Sequence, residues 1–107
     1  MSASYITVAS LPDLRPGRSQ LVTVDDHPIA LWRVGDDVFA IDNVCPHQHF
    51  PVLHQASLNG SCVTCPMHGW TFDLPTGRAV NGNGRVRTHA IRLEGDRILV
   101  ERPGSLW

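Results

Sequence analysis

The chain has 107 residues, of which 42% are hydrophobic and 18% charged, with a formal net charge of −1. That length suits one domain, and the composition is that of a globular chain rather than a disordered one. All nine basic residues are arginine, and a near-neutral balance with no basic block excludes the electrostatic footprint of a nucleic-acid binder.

Segments rich in β-branched and aromatic residues come first. Ser4 to Val8, Gln20 to Val24, Ile29 to Val34 and Val38 to Ile41 read as strands, punctuated by Pro12, Pro16-Gly17, Asp25-Asp26 and Gly35-Asp36-Asp37. Ser61 to Thr64 and Trp70 to Asp73 give briefer strand signals. Near the C-terminus, Val86 to Leu93 and Arg97 to Glu101 flank Glu94-Gly95-Asp96, a hairpin signal. No window carries a sustained 3.6-residue period with caps. The expected fold class is therefore all-β, a small antiparallel sandwich or barrel. The apolar runs, such as Ile29 to Trp32, fall far short of the about 20 residues a spanning helix needs. No basic segment precedes an apolar stretch in the manner of a signal peptide. A cytoplasmic protein with reduced thiols and no membrane association is expected.

The middle of the chain differs. Residues 43–84 hold four of the eight prolines, five of the nine glycines, all three cysteines and four of the six histidines. This reads as a loop-built subdomain of about 43–84, set into a base domain of about 1–42 and 85–107, within a single domain spanning 1–107.

Two segments of that region share a chemistry: Cys45-Pro46-His47 and Cys65-Pro66-Met67-His68. Each offers one thiolate and one imidazole. Cys62 and Cys65 also form a C-x-x-C, which alone would suit a redox dithiol or half of a zinc site. Structural zinc takes two thiolates and two imidazoles, but its usual spacings pair like ligands, whereas here each pair is mixed. A [2Fe-2S] centre in which His replaces Cys on one iron suits mixed pairs better, because each loop can send its Cys to one iron and its His to the other.

The string "CPH…CPMHGWTFDLPTG" resembles the Rieske signature, C-x-H then C-x2-H, followed by Gly-aromatic, Phe-Asp and Thr-Gly. The flanks "GDDVFAIDNVCPH" and "LNGSCVTCPMHG" are similar too, and the resemblance runs from about Tyr5 to Glu101. It implies a Rieske-type domain holding one [2Fe-2S] cluster. Cys45 and Cys65 would bind the inner iron, and His47 and His68 the outer iron with ring edges toward solvent. Phe39, Trp70 and Phe72 would pack around the cluster. The resemblance further implies a monomeric ferredoxin, not an enzyme by itself. It would carry one electron from a flavoprotein reductase to a terminal oxygenase by transient docking. The alternatives are a Rieske-like small subunit of a larger oxidoreductase such as a nitrite reductase, and a zinc-stabilised β domain.

Several positions depart from relatives. The respiratory-complex branch of the family carries a disulfide at the positions of Phe50 and Met67, and a serine at that of Trp70. Without them the expected potential is low, about −150 mV. Cys62 is expected to be a small buried thiol in the strand before the second loop, outside the ligand set. His49 and His54 are extra histidines near the site, expected as surface or supporting groups rather than ligands. Asn81 to His89 lacks proline where relatives have a Pro-rich cover, and its Asn-Gly pairs predict a flexible loop. His27 and His89 have no partner visible in sequence, and no 2-His-1-carboxylate site is expected.

Overall fold

A computed structural model describes residues 4–46, 51–67 and 69–102. Strand β1 (Tyr5–Ser10) leads through a 3-10 turn at Leu11–Asp13 into β2 (Ser19–Val24), β3 (His27–Val34) and β4 (Asp37–Asp42). Three short strands follow, β5 (Ser57–Asn59), β6 (Cys62–Thr64) and β7 (Thr71–Asp73), after a second 3-10 turn at Leu53–Gln55. The chain closes with β8 (Thr88–His89), β9 (Ile91–Glu94) and β10 (Arg97–Glu101). These form three sheets, ordered β1-β10-β9, β2-β3-β4-β8 and β5-β6-β7, and every pairing is antiparallel. The all-β expectation holds.

The β3–β4 part of the four-stranded sheet is buried on both faces. Successive side chains of a strand point to opposite sides. Ile29 and Leu31 of β3, with Val38 and Ala40 of β4, join Leu14, Val24, Ile98 and Val100 in one apolar cluster. Ala30, Trp32 and Ile41 join Val63, Phe72, Leu74 and Val86 in the other. The uninterrupted run Ile29-Ala30-Leu31-Trp32 thus reflects a strand with no solvent face. Complete burial of each large side chain contributes about 1.5–3 kcal/mol, which anchors the sheet on which both candidate loops are built.

Two expectations change. Val86 to Leu93 is not one strand: β8 pairs with β4, and the chain then crosses at Ala90 to pair β9 with β10. The Ala90 carbonyl accepts the Glu101 N–H at the crossing. The strand β5 was not anticipated, because Ser57-Leu58-Asn59 carries no β-branched or aromatic residue, and its pairing with β6 supplies the order instead. Among the described residues no helix is long and apolar enough to cross a membrane.

Candidate metal centre

The first candidate loop leaves the end of β4. Asn43, 1% exposed, closes its base from several sides. Its carbonyl accepts the Leu53 N–H at 3.0 Å, its side-chain amide donates to the Pro51 carbonyl at 2.9 Å, and its Oδ1 accepts the His54 N–H at 2.7 Å. The His54 ring meets the same oxygen through Nδ1 at 2.9 Å, and Trp32 Nε1 donates to the Leu53 carbonyl. His54 is therefore a brace at the foot of the loop. His47, His49 and Phe50 lie outside the described residues.

The second loop bridges β6 and β7. The Cys65 N–H donates to the Trp70 carbonyl at 2.7 Å, and the Cys65 carbonyl accepts the Gly69 N–H at 3.0 Å. These two bonds close a turn over residues 65–70. Below it, Thr64 and Thr71 pair across the strands through their hydroxyls at 2.9 Å. His68 lies outside the described residues. The following "FDLPTG" forms a turn in which Thr76 Oγ1 donates to Asp73 Oδ2 and the Gly77 N–H to the Asp73 carbonyl. Gly77 has φ 77°, and a Cβ there would stand 2.2 Å from the Val86 carbonyl oxygen. No other residue fits where that strand passes.

Both loops converge on one place. Cys45 is 0% exposed and Cys65 1%, and they share an apolar cluster with Leu53, Val63, Phe72 and Leu74. None of the three cysteines is disulfide-bonded. Phe72 is fully buried in that cluster, while Phe39 and Trp70 are half-buried against it, so all three aromatics belong to the apolar surroundings of the two thiols. Two soft sulfur donors withdrawn from water at the feet of two loops fit the core-side half of an iron–sulfur site. Cys62 lies at the start of β6 as expected, but it is half-buried rather than buried.

The segment 81–89 is fastened at its start. Asn81 Oδ1 accepts the Thr71 N–H and Asn81 Nδ2 donates to the Gly69 carbonyl, both at 2.9 Å. The amide thus brackets the end of the second loop. Gly82 lies against the Trp70 ring so closely that a Cβ would overlap it.

Sequence reading missed one constellation. Asp42 Oδ1 meets His27 Nε2 and His89 Nε2, each at 2.6 Å. The two histidines whose partners were not visible in sequence therefore share one carboxylate, and a 2-His-1-carboxylate set exists where none was expected. The register explains it. Ile29 pairs with Asp42 and Ala40 with His89, which places both histidines diagonal to Asp42 on one face. The β3–β4 hairpin makes half of this readable from sequence; the β4–β8 pairing joins residues too distant to read.

A family model, the Rieske [2Fe-2S] domain, matches residues 4–94. The ferredoxin component of a naphthalene 1,2-dioxygenase system from Pseudomonas aeruginosa is 29% identical over 103 residues, covering 94% of this chain and 98% of its own. The ferredoxin of carbazole 1,9a-dioxygenase from Nocardioides aromaticivorans IC177 superimposes with a TM-score of 0.86 at 31% identity, covering 94% of this chain and 99% of that one. A Mycobacterium tuberculosis chain assigned as an NADH-dependent nitrite reductase small subunit superimposes at 0.88 with 27% identity, covering 95% and 97%.

Proposed function

The chain belongs to the Rieske [2Fe-2S] domain family, and on that premise we propose that it is the ferredoxin component of a cytoplasmic oxygenase system, with Cys45, His47, Cys65 and His68 as its cluster ligands. It is an electron carrier and not a catalyst by itself. The observation that carries the reading is the burial of Cys45 and Cys65 in one apolar cluster, at the feet of two loops.

Family membership implies a Rieske-type cluster with cysteine and histidine ligands, and when bound such a cluster stores one electron at a potential raised by imidazole in place of thiolate. The chain's own residues do the rest. Cys45 and Cys65 would hold the core side of the cluster, where Leu53, Val63, Phe72 and Leu74 keep water from the sulfurs. His47 and His68 would complete the donor set. Asn43 and His54 fix the first loop, and Asn81 fixes the second. A rigid frame keeps reorganisation small when the charge changes. Met67, 45% exposed, puts an apolar side chain beside the second loop, where a flavoprotein reductase or a terminal oxygenase would dock transiently. The subdomain of about 43–84 would then carry the cluster, and the base of about 1–42 and 85–107 the load.

Likeness to the nitrite reductase chain favours a second reading, a subunit held permanently in a larger oxidoreductase. A stable equimolar complex with a catalytic chain on gel filtration would support that reading against the shuttle. The direct test of the carrier is protein-film voltammetry. The expected result is a one-electron couple near about −150 mV, since Trp70 stands where a serine donor would raise the potential. A couple above about +100 mV, or none, overturns the low-potential carrier.

A further inference from the structure

We propose that His27, Asp42 and His89 form a second metal site, independent of the cluster, that takes one divalent first-row transition ion of the zinc class. Three strands of the central sheet supply one donor each: His27 opens β3, Asp42 ends β4 and His89 ends β8. Their ligand atoms all lie within 4.8 Å of one another. Both Nε2 atoms aim at the same oxygen, Oδ1, rather than sharing the two carboxylate oxygens between them. An ion set among these three atoms would replace the shared hydrogens, the nitrogens moving outward from 2.6 Å to make room. Two imidazoles and a carboxylate are a donor set that zinc takes at about 2.0–2.2 Å, leaving one position for water.

The rings stand edge-to-face with centroids 5.5 Å apart, so they approach the oxygen from different sides without stacking over it. The side chains of His27 and Asp42 are 21% and 22% exposed, which gives an ion a path from solvent, while His89, at 3%, forms the inner wall. In the metal-free form each Nε2–H donates to Asp42. Metal uptake moves that proton to Nδ1 on each neutral ring, or releases one proton from each protonated ring, and the ion takes the place of the shared hydrogens. The bound ion would tie β8 to β3 and β4. Because β8 follows directly on the segment holding Asn81, the site would brace the second cluster loop from behind.

The test is equilibrium dialysis of the cluster-loaded protein against Zn2+, with iron counted in the same samples. The expected result is one Zn2+ per chain with iron unchanged. Asp42→Asn and His89→Ala should each weaken binding at least tenfold. His27→Ala, at the more exposed partner, should do the same and guards against a folding defect in the other two. His49→Ala should leave it unchanged. Absence of saturable Zn2+ binding, or binding lost in His49→Ala and kept in His27→Ala, overturns the proposal. So does the outcome in which Asp42→Asn lowers only the melting temperature, which would make the triad a hydrogen-bonded latch. Zn2+ taken up with loss of iron would place it at the cluster loops and equally overturn the proposal.

Discussion

The C-x-x-C of Cys62 and Cys65 separates into two residues with different surroundings. Cys65 closes the second loop with its own backbone and is buried in the same apolar cluster as Cys45; Cys62 starts a strand and is half-buried. Cys65→Ala should abolish bound iron and acid-labile sulfide, and Cys62→Ala should keep both. Loss in both variants would refute the assignment. Asp42 carries a second prediction at this scale. Burial pushes its carboxyl pKa up, but hydrogen bonds from His89 and His27 outweigh that and leave it below the ordinary carboxylate range. A depressed folded-state pKa contributes stability above the unfolded value of about 3.9 and loses it as pH falls through the folded value. Asp42→Asn should therefore cost about 1–2 kcal/mol at pH 7, the loss of charge from two hydrogen bonds. The gap to the parent protein should begin to narrow only as pH falls below the unfolded value of about 3.9, read from denaturant midpoints at each pH. A gap that does not narrow on further acidification would show that the carboxylate's charge is not what matters.

Among the elements, the segment after β7 departs furthest from its sequence. Asn-Gly pairs predict mobility, because Gly and Asn widen the accessible backbone. The same residues serve as fasteners here: Asn81 brackets residues 69–71 with its amide, and Gly82 leaves room for the Trp70 ring. A Gly82→Ala Cβ would lie 1.7 Å from Trp70 Cζ3. The ring must move, at a cost of about 1–3 kcal/mol, as in other overpacked sites. The expected outcome is a lower melting temperature together with a shifted visible spectrum, since Trp70 packs against the apolar cluster around Cys45 and Cys65. An unchanged spectrum would show that the ring does not shape the cluster environment. Such a clamp cannot be read in sequence, because it joins residues about ten positions apart through side chains that more often signal a loose turn.

Across the whole molecule, what could be read locally was read well. Alternating and continuous apolar runs gave β2, β3 and β4, and the two Cys-x-His and Cys-x-x-His segments gave the candidate donors. Pairings over long separations were not legible. The split of residues 86–93 between two sheets, the β4–β8 contact and the triad it creates all depend on segments distant in sequence, with Asp42 and His89 47 positions apart. Nor does spacing reveal Asn43, whose role rests on closing a loop eleven residues wide. The central claim is that two cysteines and two particular histidines hold a Rieske-type cluster on this frame. Pulsed electron paramagnetic resonance of the reduced protein, grown with 15N-labelled histidine, tests it most directly. The account predicts a paramagnetic signal coupled to two histidine nitrogens, retained in full by His49→Ala. A diamagnetic, zinc-loaded protein, or a nitrogen coupling that disappears in His49→Ala, would contradict it.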